Sequence, residues 1–168
     1  MAILVIFFIA YYYPTMPPIQ AIAVFNDPKI KGTVRFTESG SDILIDINIT
    51  GLTPNHLHGF HVHEKGDLTD HCTSLCAHFN PYGKTHGCPG MTNRHVGDLG
   101  NIKADRSGIA RYQMRDNIIK LRGSKSNIIG RGLVIHEDTD DCGQGGDEES
   151  LKTGNAGKRI ACAIIGHA

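Results

Sequence analysis

A two-residue period of apolar side chains restricts the fold of this chain more than any other feature. Isoleucine occupies every odd position from Ile43 to Ile49, and the positions between them include Asp46 and Asn48. Alternate side chains of an extended strand point to opposite faces of a sheet. The pattern therefore predicts a strand with one face in a core and the other in water.

Seven further short runs of apolar and β-branched residues are bounded by Gly, Asn, Asp and Ser, which is typical of strands joined by turns. In addition to 43–49, we expect strands at 20–25, 31–36, 57–63, 109–114, 118–121, 128–136 and 159–165. Strands this short at this spacing favour an antiparallel sandwich or barrel. The 168 residues, 40% of them hydrophobic, suffice for one domain with one core.

Residues 2–13 form an almost wholly apolar run near the N-terminus. The run is short for a transmembrane helix. It resembles the core of a secretion signal, although neither a basic residue before it nor a clear cleavage site after it supports that interpretation. The alternatives are a signal, an anchor, or an extension ahead of a functional start at Met16. We assign 1–15 to an apolar extension or weak signal-like segment and 16–168 to one domain; the protein is expected to be secreted if the run is a signal and cytoplasmic if it is not.

The balance of charge excludes a broad class of partners. The 17 Lys and Arg residues cancel the 17 Asp and Glu residues, so no bulk attraction to nucleic acid or to an anionic membrane follows. We therefore predict no nucleic-acid partner and do not expect a membrane partner.

Histidine is concentrated in one tract and one downstream position. On a strand, His61 and His63 point to the same side and can bind one metal, while Val62 points into the core. The tract continues with three more histidines and an aspartate at spacings of eight, nine and three, and a downstream histidine follows; these are His78, His86, His95, Asp98 and His136. Imidazoles and one carboxylate are natural donors for copper and zinc. Two metals in one cluster would indicate a redox enzyme.

Two long stretches, 64–96 and 137–158, do not fit a strand pattern. Loops of this length in a compact domain are usually functional. The first holds most of the histidines. The second is rich in glycine and charge and could be a solvated linker, but its position directly after His136 favours the wall of an active site.

The chain contains seven ordered motifs, GFHVHE, HFNP, GKTHG, RHVGDLGN, GRGLVIHED, GGDEESLKTGNAG and RIACAIIG. Together they resemble the copper/zinc superoxide dismutase family over about 19–168. The resemblance implies an all-β fold, an eight-stranded antiparallel Greek-key barrel of immunoglobulin-like sandwich architecture with two long functional loops. It also implies an enzyme that converts two superoxide anions to dioxygen and hydrogen peroxide by alternating Cu(II) and Cu(I).

The resemblance assigns one copper and one zinc to each subunit. Copper would be held by four histidines, which are His61, His63, His78 and His136. Zinc would be held by His78, His86, His95 and Asp98, so that His78 bridges the metals and takes part in proton transfer. Asp140 would link the outer nitrogens of His61 and His86. Arg159, with Lys152 and Lys158 on the loop, would attract the anionic substrate to copper.

The five cysteines cannot all pair within one chain, and each could instead be a small buried apolar residue. By resemblance, Cys72 and Cys162 form the disulfide of the family. Cys88 and Cys142 lie two residues after His86 and Asp140, which the resemblance brings together, so we predict a second disulfide between them. Cys76 would remain the odd thiol.

The resemblance further implies a homodimer and the possible help of a copper chaperone. The positions that fit the dimer contact are Ile129, Gly130, Ile164 and Ile165, whereas Lys65 stands where an apolar residue is common. A copper chaperone with a dismutase-like domain and a metal-buffering protein are the alternative functions; the complete ligand set and Arg159 argue against them. His58 matches a structural position, and His56, His71 and His167 match no functional one, so we expect these three to be solvated or packed residues.

Overall fold

Eight antiparallel strands form the protein, and the computed structural model describes them within residues 17–123 and 125–168. The strands are β1 Gln20–Asn26, β2 Lys31–Ser39, β3 Asp42–Thr50, β4 Leu57–His63, β5 Asp98–Lys103, β6 Ala110–Asp116, β7 Gly132–His136 and β8 Arg159–His167. A 3₁₀ turn at Thr73–Leu75 and one helical turn, α1 Ser150–Thr153, lie in the two long loops.

The strands pair in the order β5-β4-β7-β8-β1-β2-β3-β6. β3 pairs with β6, although β4 and β5 lie between them in the sequence and pair elsewhere. The outermost strands, β5 and β6, contact each other and nearly close the sheet into a barrel. This confirms the predicted all-β, antiparallel Greek-key architecture.

The predicted alternation of β3 is present in the burial of its side chains. Ile45, Ile47 and Ile49 are fully buried, whereas Asp46 and Asn48 are exposed. Large side chains from the other strands complete a single core, including Phe25, Phe36, Phe60, Ile102 and Ile135. Full burial of an Ile or Phe side chain contributes about 1.5–3 kcal/mol to folding, so this core provides a rigid support for the loops.

The predicted strand at 118–121 is wrong. The Asp116 carboxylate accepts backbone N–H hydrogen bonds from Ile118 and Ile119 at 2.8 and 2.9 Å, which turns the chain immediately after β6. Ile119 and Leu121 still enter the core, but from a loop. Backbone pairing in this segment is limited to one isolated bridge, between Lys120 and Asn127. Burial of apolar side chains without a continuous strand produced the false strand signal.

Two other strands differ from the sequence prediction: β5 was not predicted, and β7 begins later than expected. β5 was missed because Asp98, Gly100 and Asn101 interrupt its apolar pattern, and Gly100 has a φ of 76°. The strand expected from 128 begins only at Gly132, after a turn in which Gly130 has a φ of 80°.

Residues 1–15, assigned to an apolar extension, lie outside the described residues. In the described ranges, no helix has both the length and the apolar character needed to cross a bilayer.

Candidate metal centre

Two histidines of β4 begin the metal centre. His61 and His63 are both buried and share one side of the strand, while Val62 between them packs in the hydrophobic core. β4 lies between β5 and β7, and β7 ends at His136. Pairing therefore brings His136 beside the β4 pair from the neighbouring strand.

The rings of His63 and His136 direct bare nitrogens toward each other. Nδ1 of His63 donates to the carbonyl oxygen of Cys76 at 2.8 Å, and Nδ1 of His136 donates to that of Gly157 at 3.2 Å. Since each Nδ1 carries the proton of a neutral ring, each Nε2 presents a lone pair. The two Nε2 atoms lie 3.4 Å apart, and a cation between such lone pairs would relieve their repulsion.

Three buried ring nitrogens have no hydrogen-bond partner within residues 17–123 and 125–168. They are Nδ1 of His61, Nε2 of His78 and Nδ1 of His86. An unsatisfied buried polar atom costs about 1–3 kcal/mol, and native structures rarely leave several together. Each of these three residues belongs to a group of four donor residues whose ligand atoms lie within 4.8 Å of one another. Bound cations would satisfy all three nitrogens.

One carboxylate oxygen of Asp98 lies close to a nitrogen of each of three imidazole rings. Its Oδ1 lies 2.9 Å from Nδ1 of His78 and 3.1 Å from Nδ1 of both His86 and His95. The contact with His86 lacks the alignment of a hydrogen bond, which explains why that nitrogen remains unpartnered. Oδ2 instead accepts backbone N–H hydrogen bonds from Gly87 and His95 at 3.1 and 2.7 Å. Three nitrogens and one oxygen converging in this way form a donor set that suits tetrahedral zinc.

His78 belongs to both groups. Its Nδ1 faces Asp98, and its unpartnered Nε2 faces the side on which His61, His63 and His136 lie. A single imidazole with its two nitrogens in two donor sets can connect two cations directly.

Asp140 orients one ring of each group. Nε2 of His61 donates to Oδ2, and Nε2 of His86 donates to Oδ1, both at 2.8 Å. With their outer nitrogens protonated, both rings present Nδ1 as a lone pair toward the donor groups. Asn101 holds the backbone of Asp140 through two hydrogen bonds of 2.8 and 2.9 Å.

Burial and hydrogen bonding divide the pKa values of the histidines into two classes. Burial lowers the pKa of His61 and His63 well below the usual range and that of His136 to about 4, so these rings are neutral at physiological pH. Burial also acts to lower the pKa of His86, but the hydrogen bond with Asp140 and the carboxylate of Asp98 beside the ring outweigh it and raise that pKa to about 9. Burial acts to raise the pKa of Asp98, yet the three imidazoles around its carboxylate hold it far below its usual value.

A cavity of about 810 Å³ opens onto this centre, and Arg159 lines it. The guanidinium of Arg159 donates to the carbonyl oxygens of Cys72, Thr73 and Cys76 at 2.7, 3.3 and 2.5 Å. Lys152 also lines the cavity, 3.5 Å from a carboxylate oxygen of Glu148. Lys158 instead lies 3.9 Å from Glu137.

Two disulfides connect the loops around the centre. Cys72 is bonded to Cys162 with a Cα separation of 5.7 Å, and Cys88 is bonded to Cys142 with a Cα separation of 4.9 Å. Among the described residues, Cys76 is the cysteine without a disulfide partner. The pairs follow the sequence prediction, including the second disulfide.

Some residues with clear roles in the geometry were missed by sequence reasoning. Asn101 sits inside the unrecognised strand β5, and Gly154 packs where a Cβ atom would overlap both Asp140 and His86. His58 is buried and structural as expected: its Nδ1 donates to the carbonyl oxygen of His136 at 2.8 Å. His71 is not merely solvated, because its ring contacts the Cys72–Cys162 disulfide.

Comparison with known proteins decides what kind of centre this is. The sequence profile described as copper/zinc superoxide dismutase (SODC) matches residues 30–165. The chain belongs to the copper/zinc superoxide dismutase family. This superoxide dismutase acts on superoxide, and its family implies the use of copper and zinc.

Curated relatives agree with this membership. The superoxide dismutase [Cu-Zn] of Paramecium bursaria Chlorella virus 1 is 64% identical over 151 residues, covering 90% of this chain and 80% of the relative. Those of Talaromyces marneffei and Saccharomyces cerevisiae are 52% and 48% identical, each covering 88% of this chain and 97% of the relative. The crystal structure of the clock protein EA4 superposes with a TM-score of 0.87 at 45% identity, over 94% of this chain and 99% of that chain.

Proposed function

We propose that this superoxide dismutase works at a two-metal centre in which one copper and one zinc per subunit share His78. The ligands assigned to copper are His61, His63, His78 and His136, and those assigned to zinc are His78, His86, His95 and Asp98. The observation that carries the assignment is the set of three buried, unpartnered ring nitrogens, one of which belongs to the shared residue. We further propose that residues 16–168 act as one catalytic domain.

Copper, when bound, supplies one-electron redox chemistry, alternating between Cu(II) and Cu(I). The chain must then bind a small anion and deliver protons to the peroxide product. Nε2 of His78 is assigned the role of holding and releasing a proton, because its Nδ1 stays fixed against Asp98 while Nε2 has no hydrogen-bond partner among the described residues. Asp140 keeps His61 and His86 in orientation through this step.

Arg159 is assigned to substrate binding. Its guanidinium lies at the cavity wall with His63 and His136, and three carbonyl oxygens fix its position. A positive charge on the wall of a cavity attracts a small anion more strongly than the near-zero net charge would suggest. Lys152 adds to this potential less effectively, because Glu148 lies beside it, and the pairing of Lys158 with Glu137 gives it a smaller part than the sequence predicts.

A copper chaperone or a metal buffer is not favoured. Both donor groups are complete and buried, whereas a buffer would need no cation beside the cavity. A separate copper chaperone is proposed as a partner in loading, and copper uptake by the metal-free protein with and without cell extract would test that role.

Association into a homodimer is proposed through the surface that includes Ile129 and Ile164. Both side chains are half-buried and Gly130 beside them is exposed. Ile165 is fully buried in the core, so its side chain cannot line this surface as the sequence suggested. Size-exclusion chromatography with light scattering should give a dimer for the parent protein and a monomer for Ile164→Asp; a parent protein that is monomeric at high concentration would contradict the proposal.

The experiment that tests the site is a xanthine-oxidase-coupled dismutase assay on protein loaded with both metals, combined with metal analysis. The parent should hold one copper and one zinc, and His78→Ala should lose most activity and the influence of zinc on the copper spectrum. His167→Asn, at the exposed end of β8, is the matched control and should behave as the parent. Full activity and an unchanged copper spectrum in His78→Ala would refute the shared ligand.

A further inference from the structure

A second group of reactive side chains lies at the Cys72–Cys162 disulfide, outside the metal ligands. Nδ1 of His71 is 3.0 Å from Sγ of Cys72 and 3.8 Å from Sγ of Cys162. On the other side of the ring, Nε2 lies 3.3 Å from Oδ1 of Asp27. The imidazole thus lies between a carboxylate and a sulfur, the same order of groups as in sites that activate a sulfur atom through an oriented histidine.

Both neighbours of His71 lack a hydrogen to donate. A disulfide sulfur carries none, and the carboxylate of Asp27 is also an acceptor. A proton on Nδ1 of His71 would lie directly against Sγ of Cys72, with the carboxylate of Asp27 on the other side of the ring.

The position is accessible and locally constrained. The side chain of His71 is 68% exposed, while that of Asp27 is 9% exposed and therefore fixed. His71 has a φ of 48°, in the left-handed region that residues other than glycine seldom adopt, and its N–H donates to the carbonyl oxygen of Leu68 at 3.1 Å. Such backbone conformations often occur where a side chain has a function.

We propose that His71 is an acid–base catalyst of thiol–disulfide exchange at Cys72–Cys162, with Asp27 as its positioning residue and a small-molecule thiol as co-substrate. The Cys88–Cys142 disulfide serves as an internal comparison, because its neighbouring groups are the carboxylate of Asp140 and backbone, with no imidazole nitrogen against its sulfurs among the described contacts.

The exchange begins with attack of a thiolate on Sγ of Cys162, the more exposed of the two cysteines at 9% against 4%. A sulfur–sulfur bond forms between the thiol and Cys162 while the Cys72–Cys162 bond breaks, and its electron pair leaves with Sγ of Cys72. Nδ1 of His71 gives its proton to that sulfur. A second thiolate then attacks the small-molecule sulfur of the mixed disulfide. Sγ of Cys162 leaves with the electron pair of the broken bond and takes a proton from water, as does Nδ1 of His71. Two small-molecule thiols thus end as one disulfide, and the protein gains two thiols.

The same residue serves the reverse reaction. When the bond closes, neutral His71 takes the proton from Cys72 and generates the thiolate that attacks a mixed disulfide at Cys162. Catalysis changes the rate of both directions equally and leaves the equilibrium unaltered. The disulfide that holds the turn under Arg159 would then respond quickly to the thiols around the enzyme.

Two charged groups face this cluster from neighbouring elements. Asp27 comes from the turn between β1 and β2, and Arg159 at the start of β8 donates to the carbonyl oxygen of Cys72 at 2.7 Å. Arg159 keeps its charge over the accessible pH range. A dependence of the rate per thiolate on pH that disappears when His71 is replaced therefore reports the imidazole.

The test measures reduction of each disulfide in the fully metal-loaded protein by 2-mercaptoethanol, with alkylation and peptide mass spectrometry at timed intervals. His71→Asn is the main variant, because Asn tolerates a positive φ and cannot act as an acid. We expect it to slow reduction of Cys72–Cys162 roughly tenfold, less than the 10²–10⁴-fold typical of general acids because His71 is exposed. Reduction of Cys88–Cys142 and dismutase activity should be unchanged, and His167→Asn should match the parent.

The pH profile separates catalysis from a structural effect. Expressed per thiolate, the rate for the parent should increase as pH falls and His71 becomes protonated, whereas His71→Asn should give a flat profile. Asp27→Asn, which retains the ring, should slow the reaction several-fold. Equal rates of Cys72–Cys162 reduction in the parent and His71→Asn would overturn the proposal. A flat pH profile in the parent would also overturn it, and that measurement does not depend on the folding of any variant.

Discussion

The guanidinium of Arg159 donates a hydrogen bond of 2.7 Å to the carbonyl oxygen of Cys72. Cys72 is also cross-linked to Cys162, which lies three positions after Arg159 on β8. The turn that holds the arginine is therefore attached to the strand that carries it. This arrangement keeps a positive charge at one place on the cavity wall.

If Arg159 attracts superoxide, its replacement should change the salt dependence of the reaction. Arg159→Ile should lower the dismutase rate substantially and flatten its decrease with ionic strength, with both metals retained. Arg159→Lys is the matched control, since it keeps the charge but lacks the two separate guanidinium nitrogens that contact the carbonyl oxygens, and it should keep most of the salt slope. Identical slopes in the parent and Arg159→Ile would rule out this role.

The second disulfide should hold zinc in place. Cys88 lies two residues after His86, and the N–H of Cys142 donates to Oδ1 of Asp140 at 2.7 Å. A cross-link over 54 residues stabilises by about 4 kcal/mol in the chain-entropy model. Replacing both cysteines with serine should lower the melting temperature and accelerate zinc loss to a chelator, whereas Cys76→Ser should do neither. Unchanged melting and zinc loss in the double variant would show that the bond is dispensable.

Gly154 should control the hydrogen bond between Asp140 and His86. A Cβ atom at this position would overlap both side chains, and the residue has a φ of 68°. Gly146 has a φ of 82° with open space around it, so Gly146→Ala imposes similar backbone strain without the overlap. Gly154→Ala should lose zinc faster than Gly146→Ala at equal pH. Equal rates of zinc loss would contradict the prediction, because backbone strain alone would then account for the loss.

Zinc binding should release a proton from His86. The hydrogen bond with Asp140 and the carboxylate of Asp98 beside the ring raise its pKa to about 9, so the ring is charged at pH 7 and must lose a proton before Nδ1 can bind a metal. We expect release of about one proton per zinc from this residue at pH 7, decreasing toward zero above pH 9. Calorimetric zinc titrations in buffers of different ionisation enthalpy will measure it, and no release at pH 7 would contradict the assignment.

The sequence predicted most of the fold because burial on one face imposes alternation, as in β3. The prediction failed where single polar or glycine residues, rather than a periodic pattern, determine the backbone conformation. Asp116 turned an apolar run into a loop through its carboxylate, and Gly100 and Asn101 concealed β5. In both places local polar contacts decided the backbone conformation.

The donor residues could be found from their chemical type and from family motifs, but their relationships required coordinates. Spacing alone could not reveal that Asn101 holds Asp140, nor that Gly154 leaves room for the Asp140–His86 contact. His71 carried no motif, and only its distances to two sulfurs and a carboxylate distinguish it from a solvated side chain.

The central claim is that two different cations share His78, and anomalous X-ray diffraction at the copper and zinc edges tests it most directly. The account predicts one copper peak within ligand distance of Nε2 of His78 and one zinc peak within ligand distance of its Nδ1, about 2.0–2.1 Å for a zinc–nitrogen bond. A single peak, or two peaks of which only one contacts His78, would contradict it.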